Sequence, residues 1–208
     1  MKKTIQFLLL SSVLFFTSCL EITETVTMTK KGKGNYSFAI DATKMMEQME
    51  ALSAMDTTGT MMSSIEHSLD STFNDIYLKY QDKKGITNVK YDKSKQHIYV
   101  ISCDFDSFEA LTNVTNQEGK GSKFEWKKGK LARSGNLALN PEELGGEDNE
   151  MAGAMLAEMK YKTVWIMPSK VKKASNKTAV IEGNTVTIET NFKDLGEGKE
   201  SLENVVEY

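Results

Sequence analysis

Residues 22–29 read Ile-Thr-Glu-Thr-Val-Thr-Met-Thr and alternate with a period of two. The threonines fall on one side of this pattern, whereas Ile22, Val26 and Met28 fall on the other, where Glu24 is an interruption. Such alternation is typical of a β-strand with one face in the core and one face toward solvent. The stretch therefore predicts a half-buried strand whose apolar face contains one acidic side chain.

The residues that follow predict a hairpin. Residues 30–35, Lys-Lys-Gly-Lys-Gly-Asn, have the composition of a turn, and Tyr36, Phe38 and Ile40 restore the alternation in a second strand. Asp41 then has a side chain suited to cap a helix.

Similar alternation recurs along the chain. Three more hairpins are predicted from Ile86–Tyr91 with Ile98–Phe105, Lys123–Lys127 with Lys130–Arg133, and Thr178–Glu182 with Thr185–Thr190. Tyr161–Met167 is the most apolar strand and is predicted to lie in the middle of a sheet. Leu202–Val206 is predicted as a last strand.

Apolar side chains at helical spacing predict the helices. The stripes are Met45, Met49 and Leu52; Ile65, Leu69, Phe73, Ile76, Tyr77 and Tyr80; Phe108–Val114; and Met151, Ala154, Met155 and Met159 within Glu150–Lys160. Ser63 and Glu66 have capping-box spacing and predict the start of the second helix. Because hairpins dominate, we predict an α+β fold in which three or four helices pack on a mainly antiparallel sheet.

The amino-terminal residues have a different character. Lys2 and Lys3 precede the apolar run Ile5–Phe16, which is too short to span a bilayer as a helix and predicts a secretory signal. Small residues and Cys19 close this segment and resemble the lipobox of bacterial lipoproteins. The resemblance implies that residues 1–18 are a signal peptide and that residues 19–208 form a single domain anchored by lipid on Cys19. The alternative is a plain secretory signal that ends in a cysteine by chance.

Lipidation would fix the location of the protein. One acyl chain gives marginal membrane binding, whereas the several chains of a lipoprotein, palmitate among them, give stable attachment. Leu20 follows Cys19 where an Asp would favour retention in the inner membrane. We therefore expect a lipid-anchored protein of the cell envelope, in the outer membrane and facing the periplasm or the exterior.

The charge composition of the chain limits the kinds of molecule that it is expected to bind. Without Lys2 and Lys3, 24 of the 26 Lys and Arg residues remain against 29 Asp and Glu, a net charge of −5. A chain of this charge without a basic stripe is not expected to bind nucleic acid. Cys103 would be the one free thiol of the lipidated chain, so no internal disulfide is expected.

Residues that carry catalysis or bind metals are sparse. His67 and His97 have no neighbour at metal-ligand spacing, and we interpret both as surface residues. Cys103 alternates with apolar residues, which favours a core position over a nucleophile or redox thiol. The acidic residues Glu142, Glu143, Glu147, Asp148 and Glu150 lack the spacing of a calcium loop and indicate a solvated loop. We therefore expect no catalytic residues, no metal and no cofactor.

Twelve methionines are many for 208 residues. Met45, Met46, Met49, Met55, Met61 and Met62 form one group, and Met151, Met155 and Met159 form another. Flexible thioethers suit irregular apolar partners, including acyl chains and other helices, but they also serve as core filler, which is the preferred interpretation. Trp126 and Trp165 lie in predicted strands and are interpreted as core residues.

Two further surface features have alternative interpretations. Lys30, Lys31 and Lys33 lie at the tip of a hairpin that starts a few residues from Cys19, and they either contact anionic headgroups or form an ordinary solvated turn. Asp56-Thr57-Thr58 and Asp70-Ser71-Thr72 resemble a short acceptor motif for O-glycosylation of exported proteins, a pattern that also arises by chance.

The region 17–55 resembles bacterial lipoproteins with an LppM-like domain. The resemblance rests on the lipobox cysteine, the Thr/Val-rich strand, the Gly32-Lys33-Gly34 turn and a strand that leads into a helix. It implies an anchored α+β domain able to bind lipid or another amphiphile, with no catalytic residues. We expect a non-enzymatic protein that binds an amphiphile or a partner protein at the membrane surface. The alternative is a structural or assembly component of an envelope complex.

Overall fold

The strand predicted from the threonine alternation is β1, Leu20–Met28, and it lies in the interior of a seven-stranded sheet. The structure is a computed structural model that describes residues 20–29, 32–53, 60–117, 120–127, 129–135 and 150–208. β1 pairs antiparallel with β2, Gly34–Asp41, so that Glu21 is opposite Asp41 and Met28 is opposite Gly34. The prediction of an amino-terminal hairpin is confirmed.

The other elements follow in chain order. The helices are α1 Thr43–Ser53, α2 Thr60–Gln81, α3 Phe108–Thr115, α4 Glu150–Glu158 and α5 Phe192–Gly196. Strands β3 to β8 are Ile86–Asp92, Ile98–Phe105, Asn116–Gln117, Lys120–Gly121, Lys123–Lys127 and Lys130–Ser134. Strands β9 to β13 are Met159–Ile166, Lys173–Ala174, Val180–Glu182, Thr185–Asn191 and Asn204–Glu207.

The larger sheet has the strand order β11-β12-β9-β1-β2-β4-β3. Its neighbouring strands are antiparallel except β1 and β9, which run parallel with Leu20 opposite Met159. β9 lies inside the sheet, as predicted for the apolar stretch 161–167. A parallel pair needs a crossover connection, and here the elements from β2 to α4 supply it.

A smaller sheet has the strand order β10-β13-β8-β7, and β5 pairs with β6. The predicted hairpin of β7 and β8 therefore joins the last strand, β13, in a separate layer rather than the larger sheet. The prediction of a mainly antiparallel α+β fold is confirmed, and the structure adds this second layer.

One face of the larger sheet carries most of the core. Val26 of β1 and Ile101 of β4 share a buried cluster with Phe73 of α2, Leu111 of α3 and Leu131 of β8. A second cluster joins Tyr161 and Ile188 of the sheet to Phe192 and Leu195 of α5, and Leu156 of α4 packs against it. The helices and the smaller sheet thus cover the same face of the larger sheet.

Several predicted helix boundaries differ from the structure. α2 begins at Thr60, one turn before the capping box predicted from Ser63 and Glu66, while its apolar stripe is confirmed by buried Phe73 and Tyr80. α4 ends at Glu158 because the next residue, Met159, already pairs in β9. The short helix α5 was not predicted.

The cap predicted for α1 is confirmed, whereas the buried methionine of this helix is not one of the predicted stripe residues. The Asp41 Oδ1 atom accepts a hydrogen bond from the Thr43 backbone N–H at 3.0 Å. Met46 is buried, and the predicted stripe residues Met45 and Met49 are half-buried.

Among the helices of the described residues, none is both long enough and apolar enough to cross a membrane.

Truncating the centre of the aromatic core is expected to cost much of the stability. Phe73 is fully buried, and its ring centroid lies 5.4 Å from that of Tyr99 and 6.1 Å from those of Phe38 and Tyr91. Phe73→Ala is expected to lower the free energy of unfolding by about 3–5 kcal/mol, because the cavity cannot close completely. Urea denaturation measures the change. Leu78→Ala on the same helix, where Leu78 is 50% exposed, is the control and should change it by less than about 0.5 kcal/mol.

Candidate functional site

The predicted lipid attachment site directly precedes an interior strand of the larger sheet. Cys19 lies outside the described residues, and β1 begins at the next residue, Leu20. Leu20 is opposite Met159 on β9, and Glu21 is opposite Asp41 on β2. Because β1 is paired on both sides from its first residues, a lipid on Cys19 would be attached to an interior strand with no intervening linker.

The two ends of the larger sheet differ in their position relative to Cys19. We call them the anchor end, where Leu20, Asp41, Ile98, Met159 and Asn191 lie, and the far end, where Met28, Gly34, Ile86, Phe105 and Ile166 lie. β1 has nine residues, which at about 3.3 Å per residue corresponds to roughly 26 Å from Leu20 to Met28. Lys33 is exposed at the far end, whereas Lys30 and Lys31 lie outside the described residues. Lys33 is therefore separated from Leu20 by the length of β1, although it is close to Cys19 in sequence.

A buried ion pair lies between the two sheets. Glu24 of β1 is 2% exposed, and Arg133 of β8 is 3% exposed. The Arg133 Nη1 atom donates to Glu24 Oε2 at 2.6 Å, and its Nε atom donates to Ser122 Oγ at 2.8 Å. The Tyr161 hydroxyl donates to the same Glu24 oxygen at 3.2 Å. One buried carboxylate oxygen thus receives two hydrogen bonds from elements of both sheets.

The surroundings of the pair raise the pKa of Arg133 and of the nearby phenols. Burial opposes the charge of Arg133, but Glu24 and Tyr161 outweigh it and raise the pKa of the guanidinium. Burial first and Glu24 second raise the pKa of Tyr161 and of Tyr36. The Arg133 guanidinium also lies 5.7 Å from the centroid of the Phe124 ring, within cation–π range.

Sequence reasoning marked Glu24 as an interruption of an apolar face but did not find its partner. A signal was present, because Arg133 is the only arginine in the chain. Buried carboxylates require compensation, and arginine can supply both a charge and several hydrogen bonds in a fixed geometry. The three groups bond to one another across the two sheets, so the role of the arrangement is to hold the two sheets together.

An open cleft borders this pair on the side of the smaller sheet. It has a volume of about 630 Å³ and a polar lining that includes Asn176, Lys199 and Glu203. The Asn176 amide is already engaged, because its Nδ2 atom donates to the backbone oxygens of Ser201 at 2.7 Å and Glu203 at 2.9 Å. These hydrogen bonds therefore stabilise the loops that form the cleft.

The structure supports the core interpretation of Cys103. The side chain is fully buried on β4, with Tyr99, Ile101 and Phe105 on the same face. Burial, followed by the charge of Asp104, raises the pKa of the thiol to about 12. A thiol with this pKa is not a nucleophile at neutral pH.

The histidines do not come together. His67 is exposed on α2, whereas His97 is half-buried in the turn before β4, with its Nδ1 atom 3.3 Å from Glu66 Oε1. Within the described ranges, no group of three or more His, Cys, Asp or Glu side chains is arranged to hold a metal ion. Of the predicted acidic loop, residues 142–148 lie outside those ranges, and Glu150 begins α4.

The two tryptophans have different environments. Trp165 is buried, as predicted, but the prediction for Trp126 is wrong, since Trp126 is 50% exposed. Trp126 lies on β7, an edge strand of the smaller sheet, so no strand covers one of its sides. Its Nε1 atom donates to the Tyr208 hydroxyl at 2.9 Å.

The methionines divide between core and surface. Met28, Met46 and Met167 are buried, which fits the role of core filler. Met155 is 53% exposed on α4, so this interpretation does not hold for every member of the predicted groups. Of the other predicted positions, Met159 is half-buried, and Met55 and the side chains of Met61, Met62 and Met151 lie outside the described residues.

Of the two motifs that resemble acceptors for O-glycosylation, one lies within the described residues. Residues 56–58 lie outside the described ranges, whereas Ser71 and Thr72 are exposed on α2. The Asp70 carboxylate accepts hydrogen bonds from Lys93 Nζ at 2.9 Å and from the Tyr91 hydroxyl at 3.0 Å. Lys93 first and Tyr91 next lower the pKa of Asp70. These contacts give Asp70 a structural role in joining α2 to β3.

Neutralising one member of the buried pair is expected to destabilise the fold more than removing both. Glu24→Gln leaves the Arg133 charge buried without its partner and should lower the free energy of unfolding by about 3–5 kcal/mol. The double variant Glu24→Leu/Arg133→Met should lose less than about 2 kcal/mol, because no unpaired charge remains. Urea denaturation of both variants is the measurement.

The control for this prediction is Glu189→Gln, which breaks the exposed pair of Lys160 and Glu189 at 3.0 Å. It should cost less than about 1 kcal/mol. Equal losses in the single and double variants would contradict the assigned role of the buried charges.

Among known proteins, the similarity found to this chain is low and lies with solved structures. No family model matches the chain, and no curated protein matches it. Among solved structures, the NMR structure of the folded domain of the Mycobacterium tuberculosis LppM protein aligns with 93% of this chain and 92% of that one, at 10% identity and a TM-score of 0.45.

Proposed function

We propose that this chain is a lipid-anchored protein of the cell envelope. Its domain is non-enzymatic and binds an amphiphile or a partner protein at the membrane surface. The observation that carries the proposal is the start of β1 at Leu20, directly after the lipobox-like Cys19. An interior strand that begins at this point supports the proposal, because no linker would separate a lipid on Cys19 from the domain.

The energy of such an anchor is large. Each buried methylene of an acyl chain contributes about 0.8 kcal/mol, so two or more chains, palmitate included, hold a protein stably on a bilayer. Leu20 after the cysteine favours the outer membrane, with the domain facing the periplasm or the exterior. The anchor end of the larger sheet would then lie at the headgroups.

A non-enzymatic role is favoured by the hydrogen bonds that the buried polar groups make with one another. Glu24, Arg133 and Tyr161 bond to one another and to Ser122, and Cys103 is fully buried. His67 and His97 belong to different elements and are not part of this cluster. The arrangement resembles a structural network rather than a set of groups poised for proton transfer or nucleophilic attack.

Exposed apolar side chains support binding at a surface. Met155 of α4 projects to solvent close to the anchor end, since α4 leads directly into the start of β9. Met45 and Met49 of α1, which follows the anchor end of β2, are half-buried. Thioether side chains adapt to acyl chains and to irregular protein surfaces alike.

A second candidate function is a structural or assembly role in an envelope complex. β11 is an edge strand of the larger sheet, and both of its apolar residues, Val180 and Ile181, are exposed. Natural edge strands are usually short, charged or bulged to avoid pairing with other chains. The opposite edge, β3, has such an irregularity between Thr87 and Lys90, whereas β11 has only its shortness and one charged residue, Glu182.

Anchoring is tested by removing the acceptor thiol in cells. Cys19→Ser should abolish incorporation of radiolabelled palmitate and move the protein from the membrane pellet to the soluble fraction after a high-salt wash. Cys103→Ser keeps Cys19 and should remain labelled and membrane-bound. A Cys19→Ser protein that still sediments with membranes after the wash would overturn the proposal.

The nature of the ligand is tested by native mass spectrometry of the mature chain, residues 19–208 with Cys19→Ser, purified under mild conditions. A co-purifying mass in the lipid range is the expected result for an amphiphile-binding domain. A clean apo mass assigns the function to a partner protein, which crosslinking in cells would then capture.

A further inference from the structure

An aromatic pair, exposed Trp126 and half-buried Tyr208, lies at the turn of β7 and β8. The Trp126 Nε1 atom is satisfied by the Tyr208 hydroxyl at 2.9 Å, while half of the Trp126 side chain faces solvent. The Tyr208 backbone N–H donates to the Gly129 oxygen at 3.4 Å, which fixes the carboxyl-terminal residue beside the turn. Aromatic side chains with an apolar ring and a polar edge are enriched where proteins meet the headgroup layer of a membrane.

Backbone hydrogen bonds place this pair at the far end of the larger sheet. Lys172 donates to the oxygen of Glu207, the neighbour of Tyr208, at 2.8 Å. The preceding residue, Val171, donates to the oxygen of Gly183 at 2.9 Å. Gly183 belongs to the turn between β11 and β12, which lies at the far end because Thr185 is opposite Ile166.

Lysines gather at the same end. Near this end, the described residues include the lysines Lys33, Lys79, Lys83, Lys84, Lys130, Lys170, Lys172 and Lys173 and the acidic residues Asp82, Asp104, Asp106, Glu109, Glu125, Glu182 and Glu207. Within the described ranges, Lys33, Lys84 and Lys172 are exposed and make no ion pair with a carboxylate.

The anchor end has the opposite character. Lys44, Lys93 and Lys160 are each paired, with Nζ atoms 3.8, 2.9 and 3.0 Å from carboxylate oxygens. Further acidic residues there are Glu21, Asp41, Asp92, Glu158 and Asp194, against the lysines Lys95 and Lys193. Charge is therefore separated along the axis of β1, with the acidic end next to Cys19.

We propose that the far end is a second membrane-contact surface, formed by Trp126, Tyr208 and the unpaired lysines, which binds the anionic headgroups of a bilayer. The bilayer is the one in which the proposed function places the Cys19 lipid. Two contacts, roughly 26 Å apart along β1, hold the sheet axis along the membrane rather than upright on it.

The chemistry of the surface favours headgroups over an acidic protein. Lysine is a flexible point charge suited to a diffuse layer of phosphates, and each lysine near an anionic surface contributes measurably to binding. Arginine is the side chain suited to bind an individual carboxylate through two hydrogen bonds. The single arginine of this chain is buried and paired with Glu24. An exposed tryptophan beside lysines fits the boundary between headgroups and acyl chains.

The test uses the mature chain, residues 19–208 with Cys19→Ser, which contains every described element and has no lipid. Sedimentation with vesicles of phosphatidylcholine alone is compared with sedimentation with an equal mixture of phosphatidylcholine and phosphatidylglycerol. Binding is expected only to the mixture. Brominated phosphatidylcholine in the mixture should quench the fluorescence of bound protein, and Trp126→Phe should remove the quenched component while buried Trp165 remains.

The decisive variant is Lys33→Gln/Lys84→Gln/Lys172→Gln. At about fivefold for each lysine, it should weaken binding to the mixed vesicles by about a hundredfold. The matched control, Lys44→Gln/Lys95→Gln/Lys193→Gln at the anchor end, makes the same change in net charge and should weaken binding less than about threefold.

Equal effects of the two triple variants would overturn the proposal, as would an absence of binding to the mixed vesicles. Crosslinking of the far end to a protein, without vesicle binding, would assign the surface to a partner and also overturn it. Because the tested chain has no lipid, none of these outcomes depends on palmitate incorporation at Cys19, which tests the anchor separately.

Discussion

The buried pair of Glu24 and Arg133 is the interaction on which the relation of the two sheets depends. A carboxylate and a guanidinium, both almost fully excluded from water, are costly unless each is matched by a partner and by further hydrogen bonds. Apolar packing between sheets is tolerant of small shifts, whereas the 2.6 Å contact and the hydrogen bonds to Ser122 and Tyr161 allow one position. The smaller sheet is thereby fixed over the strand that begins beside Cys19.

Local patterns in the sequence predict much of the fold. The alternation in residues 22–29 locates β1, and the stripe that contains Phe73 and Tyr80 locates α2, because burial of one face imposes a period that neighbouring residues reveal. Cys103 was placed in the core by the same reasoning. These features depend on contacts that each element makes with the core as a whole rather than with one distant residue.

Features that depend on one specific distant partner cannot be predicted from such local patterns. The parallel pairing of Leu20 with Met159 and the bond between Glu24 and Arg133, 109 residues apart, leave no periodic trace. Trp126 was misplaced because its alternation with Phe124 does not reveal that β7 is an edge strand. Of the candidate site, Cys19 could be predicted from the sequence, but the separation of Lys33 from it along β1 required the structure.

The parallel pairing of β1 with β9 also constrains the order in which the chain can fold. β1 is synthesised early, yet its β9 partner ends at Ile166 and its salt-bridge partner is Arg133. Such non-local contacts form late, since a long loop must close before they contribute. β1 therefore stays incompletely paired until most of the polypeptide has been synthesised. If Cys19 is lipidated as proposed above, enzymes that cleave and acylate a lipoprotein signal would meet an incompletely paired strand rather than a finished sheet.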